Sequence, residues 1–448
     1  MPSLDDPVRV GGVSLDNRLY RAPLLECAGN GPDAAATLVD ELAPAAASGV
    51  GCIHQGATLV RGEGGCAAPN MTRLHDPAFV ADLAAVPEAV HDHGSRVFVQ
   101  LEEGGLRSME TWHAGYRERY PGLEQLAVSR PPRQLRLLDR VGFLEFEPSV
   151  LSTAEVRELA ADFGRAAGYA VDAGYDGVHI AGANMGIVQQ FLSPFYNRRD
   201  DAFADGVRFL ELVHDEIRAR VGDAPLVTKV PVETAAPAVV RRHLTRRDGV
   251  EIARRLAEIG FDGVVPVECS VIWDMALVRG AFPERAWTAA DLQAGYATAF
   301  GGRFRARAVR ALNRLQARRF DREPGWNAAF CRQVRRRLHA TGHDDVVVCC
   351  EGGLRTRERC DRLLGADGRE PAADLVGMAR PFYAEPRLGA RLLAGGDALC
   401  RSCNNCTVPQ VTGADGRCRT PAIVRERARL AEAGAYERPA SEQACDER

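Results

Sequence analysis

The sequence predicts a (β/α)8 TIM barrel that is followed by a C-terminal metal-binding extension. Short apolar runs typical of buried strands alternate with segments of helical periodicity from near the start of the chain to about residue 395. Eight such strands imply a parallel sheet, and eight is the number of strands that closes this kind of barrel. An open, doubly wound sheet is the alternative, but no G-x-G-x-x-G motif follows the first strand.

The predicted strands are short and apolar. They cover residues 19–22, 51–55, 96–101, 177–180, 226–230, 263–267, 346–350 and 375–377. Helices are predicted between them at residues 37–48, 77–92, 153–173, 205–221 and 248–259. The third of these helices is expected to open at Thr153 with Val156 as its N3 residue, so it should lack the glutamate of a full capping box.

The barrel is expected to span residues 1–395, and two insertions interrupt its alternation of strands and helices. One insertion covers about residues 103–152 after the third strand, and the other covers about 270–330 after the sixth. Both follow the carboxyl ends of strands, where barrel enzymes build their active sites, so they could be lids, dimer contacts or substrate contacts. The extension should cover residues 396–434, and the polar residues 435–448 are expected to be disordered.

Composition excludes several classes of protein. The chain has 448 residues, 46% of them hydrophobic, and a formal net charge of −3, which leaves no basic footprint for nucleic acid. No apolar run approaches the roughly 20 residues that span a bilayer, and the first residues do not resemble a signal peptide. Thirteen cysteines without an export signal favour reduced thiols and metal ligands, so we expect a cytoplasmic protein.

Four cysteines near the C-terminus form a pattern typical of a metal centre. Cys400, Cys403, Cys406 and Cys418 are spaced as C-x2-C-x2-C-x11-C. Four thiolates can hold an iron–sulfur cluster, and the compact run of three favours a [4Fe–4S] cubane over zinc, whose sites usually contain C-x2-C twice. A zinc site and free cysteines in a mobile tail remain the alternatives.

Several motifs resemble one enzyme family. Residues 15–23 read LDNRLYRAP, residues 99–101 read VQL, residues 173–178 read AGYDGV, and residues 374–381 read DLVGMARP. Together with QFLSPFYNR at 190–198, they are similar to the signatures of the old yellow enzyme group of FMN-dependent oxidoreductases. The cysteine run is similar to that of its iron–sulfur branch, which includes bacterial 2,4-dienoyl-CoA reductase and trimethylamine dehydrogenase. The resemblance covers about residues 8–425, and we expect the FAD- and NAD(P)-binding module of those relatives to be absent.

The resemblance implies FMN at the carboxyl ends of the strands. A flavin phosphate needs backbone N–H groups at close range and a fixed cation. Gly352 and Gly353 follow the seventh strand, and Gly377, Ala379 and Arg380 lie at the eighth, which is the usual phosphate position of such barrels.

The flavin ring should contact residues from the other strands. Gln100 matches the family glutamine at the pyrimidine edge, and Lys229 matches the basic residue near N1, where positive charge stabilises the reduced flavin. Lys229 is also the only lysine of the chain, so its place at a strand end is unlikely to be a surface position. The segments expected to line the isoalloxazine ring contain Pro23, Leu24, Leu25 and Gly56.

The residues that handle substrate depart from the family pattern. Many relatives carry two groups that bind the substrate carbonyl and a tyrosine acid after the fourth strand, where this chain has Ala181, Asn184 and Gly186. The histidine of the family motif Q-L-x-H is replaced by Glu103. The catalytic candidates are therefore Asn184, Glu103 and Tyr116. Further candidates are Glu102, His113, His54, His179 and Cys27, of which the histidines on strands and the cysteine are more typical of core residues.

The expected chemistry is hydride transfer between flavin N5 and a small organic substrate. Reduction of an activated C=C bond is favoured, while oxidation of a CH–CH or CH–NH group and a redox relay without substrate turnover are the alternatives. Electrons would come from diffusible NAD(P)H, or from a ferredoxin, a flavodoxin or a separate reductase. The oligomeric state is left open by the sequence.

Overall fold

Eight parallel strands form a closed barrel, which confirms the predicted fold class. The computed structural model describes residues 2–140, 142, 144–145, 147–273, 279–319 and 323–437. Neighbouring barrel strands follow one another in the chain, and the last strand pairs with the first. The barrel strands, numbered β1 to β8 in chain order, are Leu19–Arg21, Cys52–Leu59, Arg96–Glu102, Gly177–Ile180, Leu226–Val232, Gly263–Glu268, Val347–Cys350 and Leu375–Met378.

Helices surround the barrel and cover the apolar outer sides of its strands. The predicted helix at 77–92 is two short helices that meet near Leu83. The surrounding helices are Ala34–Ala47, Pro77–Asp82, Ala85–His91, Thr153–Asp172, Val207–Val221, Arg246–Ile259, Ala328–Ala340, Arg357–Leu364 and Leu388–Leu393.

The start of the helix Thr153–Asp172 differs from the prediction. Ser152, not Thr153, is the N-cap, and its hydroxyl accepts a hydrogen bond from the Glu155 backbone N–H at 3.2 Å. The Glu155 carboxylate accepts the Ser152 N–H at 2.7 Å, which completes a capping box. The expectation that this helix lacks a full capping box was therefore wrong, because the cap lies one residue earlier than predicted.

Successive side chains of the strands alternate between the inside of the barrel and the surrounding helices. In β3, Val97, Val99 and Leu101 belong to the outer core, whereas Phe98 packs in the barrel interior. This alternation is the ordinary two-residue period of a strand. It places Gln100 and Glu102, which have the same parity as Phe98, on the inside of the barrel.

Both predicted insertions are folded and lie at the carboxyl ends of their strands. The insertion after β3 contains the helices Met109–Trp112, Ala114–Arg119 and Arg133–Arg140, the 3-10 turn Gly105–Arg107, and the paired strands Gln125–Ala127 and Pro148–Val150. The insertion after β6 contains the helices Glu284–Thr288, Gln293–Ala299 and Arg303–Ala317 and the 3-10 turn Ala290–Leu292.

The C-terminal extension packs on the barrel. It contains the 3-10 segment Val408–Thr412 and the helix Pro421–Glu432, and it follows the short helix Arg380–Ala384. Tyr436 is buried and donates a hydrogen bond to Glu385 at 2.9 Å, so the ordered chain runs past the predicted start of the tail at residue 435. Residues 438–448 lie outside the described residues, and their disorder stays a prediction.

The N-terminal strands Val8–Val10 and Val13–Leu15 form a hairpin before the barrel. Within the described ranges, none of the helices combines the length and the apolar character that crossing a membrane requires.

Candidate active site

A cavity of about 350 Å³ opens at the carboxyl ends of the barrel strands. Its volume lies in the range of small-molecule sites. Ten of the eleven residues predicted to contact a cofactor line this cavity, and Gly56 is the exception. The ten are Pro23, Leu24, Leu25, Gln100, Lys229, Gly352, Gly353, Gly377, Ala379 and Arg380.

Lys229 is held by a buried ion pair in this cavity. Its ammonium lies 2.7 Å from Oε2 of Glu351, and the Tyr20 hydroxyl donates to Oε1 of the same carboxylate at 2.9 Å. Burial and the neighbouring carboxylate raise the pKa of Tyr20, so the phenol keeps its proton. Glu351, which the sequence analysis did not assign to the site, therefore fixes the position of the only lysine.

Gln100 rests on two buried histidines in the barrel interior. Its Nε2 lies 3.3 Å from Nε2 of His179, and Nδ1 of His179 lies 2.9 Å from Nδ1 of His54. Burial lowers the pKa of His54 to about 3 and also lowers that of His179, with the nearby Lys229 charge acting in the same direction. Both imidazoles are therefore neutral, and each contact joins one donor to one acceptor. Neither histidine lines the cavity, so their place is that of core residues beneath Gln100.

The glycine turn after β7 has a backbone that side chains rarely adopt. Gly352 and Gly353 have φ values of +109° and +68°, and a Cβ on Gly352 would lie 2.9 Å from the Trp326 ring. This turn leaves backbone groups open to the cavity. Arg380, which begins the short helix after β8, also lines the cavity and donates a hydrogen bond to Asn404 of the extension.

Gly56 does not line the cavity, in contrast to its predicted role at the ring. Strand β2 has a register shift between Gln55 and Ala57, which turns Gly56 toward the segment after β1. Its N–H donates to Glu26 at 2.8 Å, and a Cβ at this position would lie 1.2 Å from the Leu24 carbonyl oxygen. Gly56 therefore permits a close approach of backbones, while the neighbouring Ala57 lines the cavity.

Glu103 and Tyr116, two of the three predicted catalytic residues, do not line the cavity. Glu103 points away from the cavity because it comes directly after Glu102, the last residue of β3. Successive side chains of a strand point to opposite sides. It is buried, its Oε2 has no hydrogen-bond partner in the described part of the chain, and burial raises its pKa to about 7. Tyr116 lies beside Cys66 under the loop after β2, where burial raises the pKa of its phenol.

Besides Gln100, the polar side chains of Glu102 and Asn184 line the cavity, from the end of β3 and from the turn after β4. Burial raises the pKa of Glu102, although the Arg107 guanidinium, 2.9 Å from its Oε1, and Lys229 act against this rise. Asn184 has a φ of +61° and accepts a hydrogen bond from the Cys269 thiol at 3.3 Å. Asn184, one of the predicted catalytic residues, thus lines the cavity, and so does Glu102, which was a further candidate.

The remaining sequence candidates have structural roles. His113 accepts the Tyr116 N–H at Nδ1 and contacts the Val411 carbonyl at 3.1 Å through Nε2, so it links the first insertion to the extension. Cys27 is partly buried, and burial raises the pKa of its thiol to about 12, which keeps it unreactive.

The roof of the cavity comes from segments whose roles the sequence analysis left open. The second insertion supplies an aromatic wall, and the extension closes the other side, where Gln410 donates to the Leu25 carbonyl at 2.7 Å. The wealth of aromatic residues at 270–330 was the only sequence signal for this wall. The roof residues are Trp287, Phe300, Asn313, Trp326, Thr407, Val408, Gln410 and Val411.

The four cysteines predicted to bind a metal line a second, smaller cavity together with Arg380. Among the residues that the structure describes, no group of three or more His, Cys, Asp or Glu side chains is arranged to hold a metal ion. The ligand assignment therefore stays a prediction. Arg380, Cys400 and Ser402 line both cavities, so they form the wall between them.

Comparison with known protein sequences places this architecture among flavin enzymes. The model of the NADH:flavin oxidoreductase / NADH oxidase family matches residues 3–286. An NADH oxidase of Thermoanaerobacter brockii is 25% identical over 419 residues, which cover 92% of this chain and 54% of that protein. A cinnamate reductase of Clostridium sporogenes is 27% identical over 289 residues, which cover 58% of this chain and 40% of that protein. The chain thus spans about half the length of these relatives or less.

Solved structures share the fold. A 2-naphthoyl-CoA reductase in complex with 2-naphthoyl-CoA superposes with a TM-score of 0.69 at 17% sequence identity, over 95% of this chain and 58% of that chain. At this identity the similarity is one of fold.

Proposed function

Because the chain belongs to the NADH:flavin oxidoreductase / NADH oxidase family, we propose that it is an FMN-dependent oxidoreductase that reduces an activated C=C bond. The observation that carries the proposal is the convergence of ten residues, expected at a flavin from sequence motifs on separate strands, on one cavity. The relatives include a cinnamate reductase, whose name describes reduction of a conjugated acid. This favours C=C reduction over the alternatives of dehydrogenation and a redox relay.

The residues of the cavity fit FMN in charge and in shape. The open backbone of Gly352 and Gly353, together with the guanidinium of Arg380, would hold the phosphate. Gln100 and Lys229 would hold the polar edge of the ring, where Glu351 keeps the lysine in place. FMN, when bound, supplies hydride transfer at N5.

Glu102 is the group that we assign to proton transfer. Its Oε1 would lie 3.4 Å from a Cβ on Gly186, which belongs to the same turn as Asn184, and burial favours its protonated form. Asn184 would bind the substrate carbonyl, and the Arg107 guanidinium would stabilise Glu102 after it has given up its proton. The aromatic side chains of Trp287 and Phe300 would keep water away from the reacting atoms.

We also propose that the cysteine cavity holds a [4Fe–4S] cluster. Cys400, Cys403, Cys406 and Cys418 surround one small cavity, as four ligands of a single cluster must. The compact run of three cysteines favours the cluster over zinc, whose sites usually contain C-x2-C twice. The cavity shares its wall with the flavin cavity, which suits the transfer of single electrons between the two. NAD(P)H, a ferredoxin, a flavodoxin or a separate reductase would supply the electrons.

The proposal is tested by oxidising the pre-reduced holoenzyme with a panel of enones, cinnamate-type acids and amines under stopped-flow conditions. We expect flavin reoxidation by at least one conjugated C=C compound. Glu102→Gln should slow this reoxidation about a hundredfold or more, as for a lost general acid, whereas the matched variant Glu103→Gln should leave it nearly unchanged. A wild-type enzyme that is oxidised by none of the C=C compounds, but whose oxidised form is reduced by amines, would contradict C=C reduction. Equal effects of the two variants would instead remove Glu102 from proton transfer.

A further inference from the structure

The helix Arg303–Ala317 of the second insertion lies on the surface with no buried residue. Its inner side nevertheless belongs to the site. Val309 packs against the cluster around Trp287, and Asn313 lines the flavin cavity. The helix is therefore one wall of the cavity, and its other side faces the solvent.

The solvent side of this helix carries an apolar stripe. Phe304 is 85% exposed, Leu312 is 50% exposed, and Leu315 is 59% exposed. With 3.6 residues per turn, Phe304, Ala311 and Leu315 fall on one face, with Leu312 beside them. Surface helices normally turn such a stripe toward the core, so a stripe that faces solvent marks an interaction surface.

The segment that contains this helix is strongly basic. Seven arginines and no acidic residue occur between residues 300 and 319, namely Arg303, Arg305, Arg307, Arg310, Arg314, Arg318 and Arg319. Glu284 pairs with two of them, Arg310 and Arg314. Since the whole chain has a net charge of −3 and this segment contributes +7, the rest of the chain sums to −10. With Glu284 counted, the segment keeps a net charge of +6 beside the apolar stripe, in a chain that is otherwise net negative.

We propose that this helix face, consisting of Phe304, Leu312, Leu315 and the surrounding arginines, docks an acidic ferredoxin that delivers electrons to the enzyme. The proposal rests on the proposed function. Charge complementarity selects a negative partner, and the apolar stripe supplies the contact that excludes water. The location favours an electron donor, because only one helix diameter, about 10–12 Å, separates the stripe from the cavity that Asn313 lines.

Other occupants fit these observations less well. A symmetric pair of chains that met at this helix would bring seven arginines against seven, which is unfavourable. Reduction of one C=C bond takes two electrons and two protons. Two reduced ferredoxins supply one electron each and are oxidised. The two protons come from Glu102 and from water.

The test measures binding of a purified acidic bacterial ferredoxin to the holoenzyme by calorimetry at low and at high salt. We expect the affinity to fall at least tenfold between about 50 and 300 mM salt, because the screening length falls from about 14 Å to about 6 Å over this range. The double variant Arg307→Glu, Arg318→Glu should weaken binding at low salt by at least tenfold. Phe304→Ala should weaken it without changing the salt dependence. The matched control is Arg157→Glu, an exposed position on the helix Thr153–Asp172, and it should bind like the wild type.

Two further measurements separate this proposal from its alternatives. Reduction of the flavin by methyl viologen, which needs no docking site, should be equal in all variants and thereby shows that they are folded. Unchanged ferredoxin binding by the double variant would overturn the proposal. It would also be overturned if the variants instead lost self-association or binding to phosphatidylserine vesicles. If ferredoxin docks as expected but the reduced enzyme reduces no C=C compound, the proposed function fails and the docking surface stands.

Discussion

Glu103 is a buried carboxyl whose surroundings do not support its charge. One of its oxygens has no hydrogen-bond partner among the described residues, and its other oxygen receives only a long contact of 3.4 Å from the Gly105 N–H. Burial therefore raises its pKa from 4.5 to about 7. The folded state favours the protonated form, so this residue stabilises the fold less as the pH rises.

We expect Glu103→Gln to increase stability more at pH 8 than at pH 5. With a folded pKa of about 7 against an ordinary value near 4.3, the stability linked to protonation is complete below about pH 4.3 and is lost as the pH rises toward about 7. The neutral glutamine escapes this loss, which amounts to about 3–4 kcal/mol at pH 8. Chemical denaturation at both pH values measures the difference. The exposed Glu88→Gln serves as control, and an equal gain for Glu103→Gln at both pH values would refute the raised pKa.

At the scale of elements, the C-terminal extension contributes to both cavities. The segment Val408–Thr412 covers the flavin cavity through Gln410, while the loops around it carry the four cysteines. Arg355 donates a hydrogen bond to the Cys400 carbonyl at 3.0 Å and so ties the cysteine loop to the turn after β7. The residues that we assign to FMN come mainly from barrel strands, so the two proposed cofactors should be separable.

We expect Cys403→Ser to remove iron and sulfide while leaving FMN bound. The wild type should contain about four iron atoms per chain, because four thiolates hold one cubane and the loss of one ligand exposes the cluster to solvent. Metal, sulfide and flavin analysis of the purified proteins measures this outcome. Cys27→Ser is the matched control, since this cysteine lies near the flavin cavity and not in the cysteine cavity. One zinc per chain and no sulfide in the wild type would disprove the cluster.

The strands were predictable because each is a short apolar run buried on both sides, as parallel strands are. The cavity residues at strand ends were predictable for a related reason, since the carboxyl ends of all eight strands meet at one rim. The alternation of side chains along β3 would also have selected Glu102 over Glu103 as the carboxyl that faces the cavity. The predicted strand ended at residue 101, one residue before its observed end at Glu102. Contacts such as that of Gln410 with Leu25, which lie 385 residues apart, leave no local signal in the sequence.

At the scale of the whole molecule, the larger cavity borders both the cysteine cavity and the basic helix. Arg380, Cys400 and Ser402 separate the cavities, and Asn313 connects the basic helix to the larger one. Under the proposed function, this arrangement would let the barrel accept single electrons and use them in pairs at a substrate. It requires that FMN occupy the larger cavity, with Arg380 at the phosphate and Lys229 at the ring.

A titration of the apoprotein with FMN, followed by flavin fluorescence, tests that requirement most directly. We expect the wild type to bind one FMN per chain. Arg380→Ala should weaken binding about tenfold or more, because it loses a charge-assisted bond worth roughly 1.5–3 kcal/mol. Lys229→Ala should weaken binding and also lower the flavin reduction potential, since the positive charge near the ring is lost. An apoprotein that binds no FMN, or two variants that hold FMN with unchanged affinity and potential, would contradict the account.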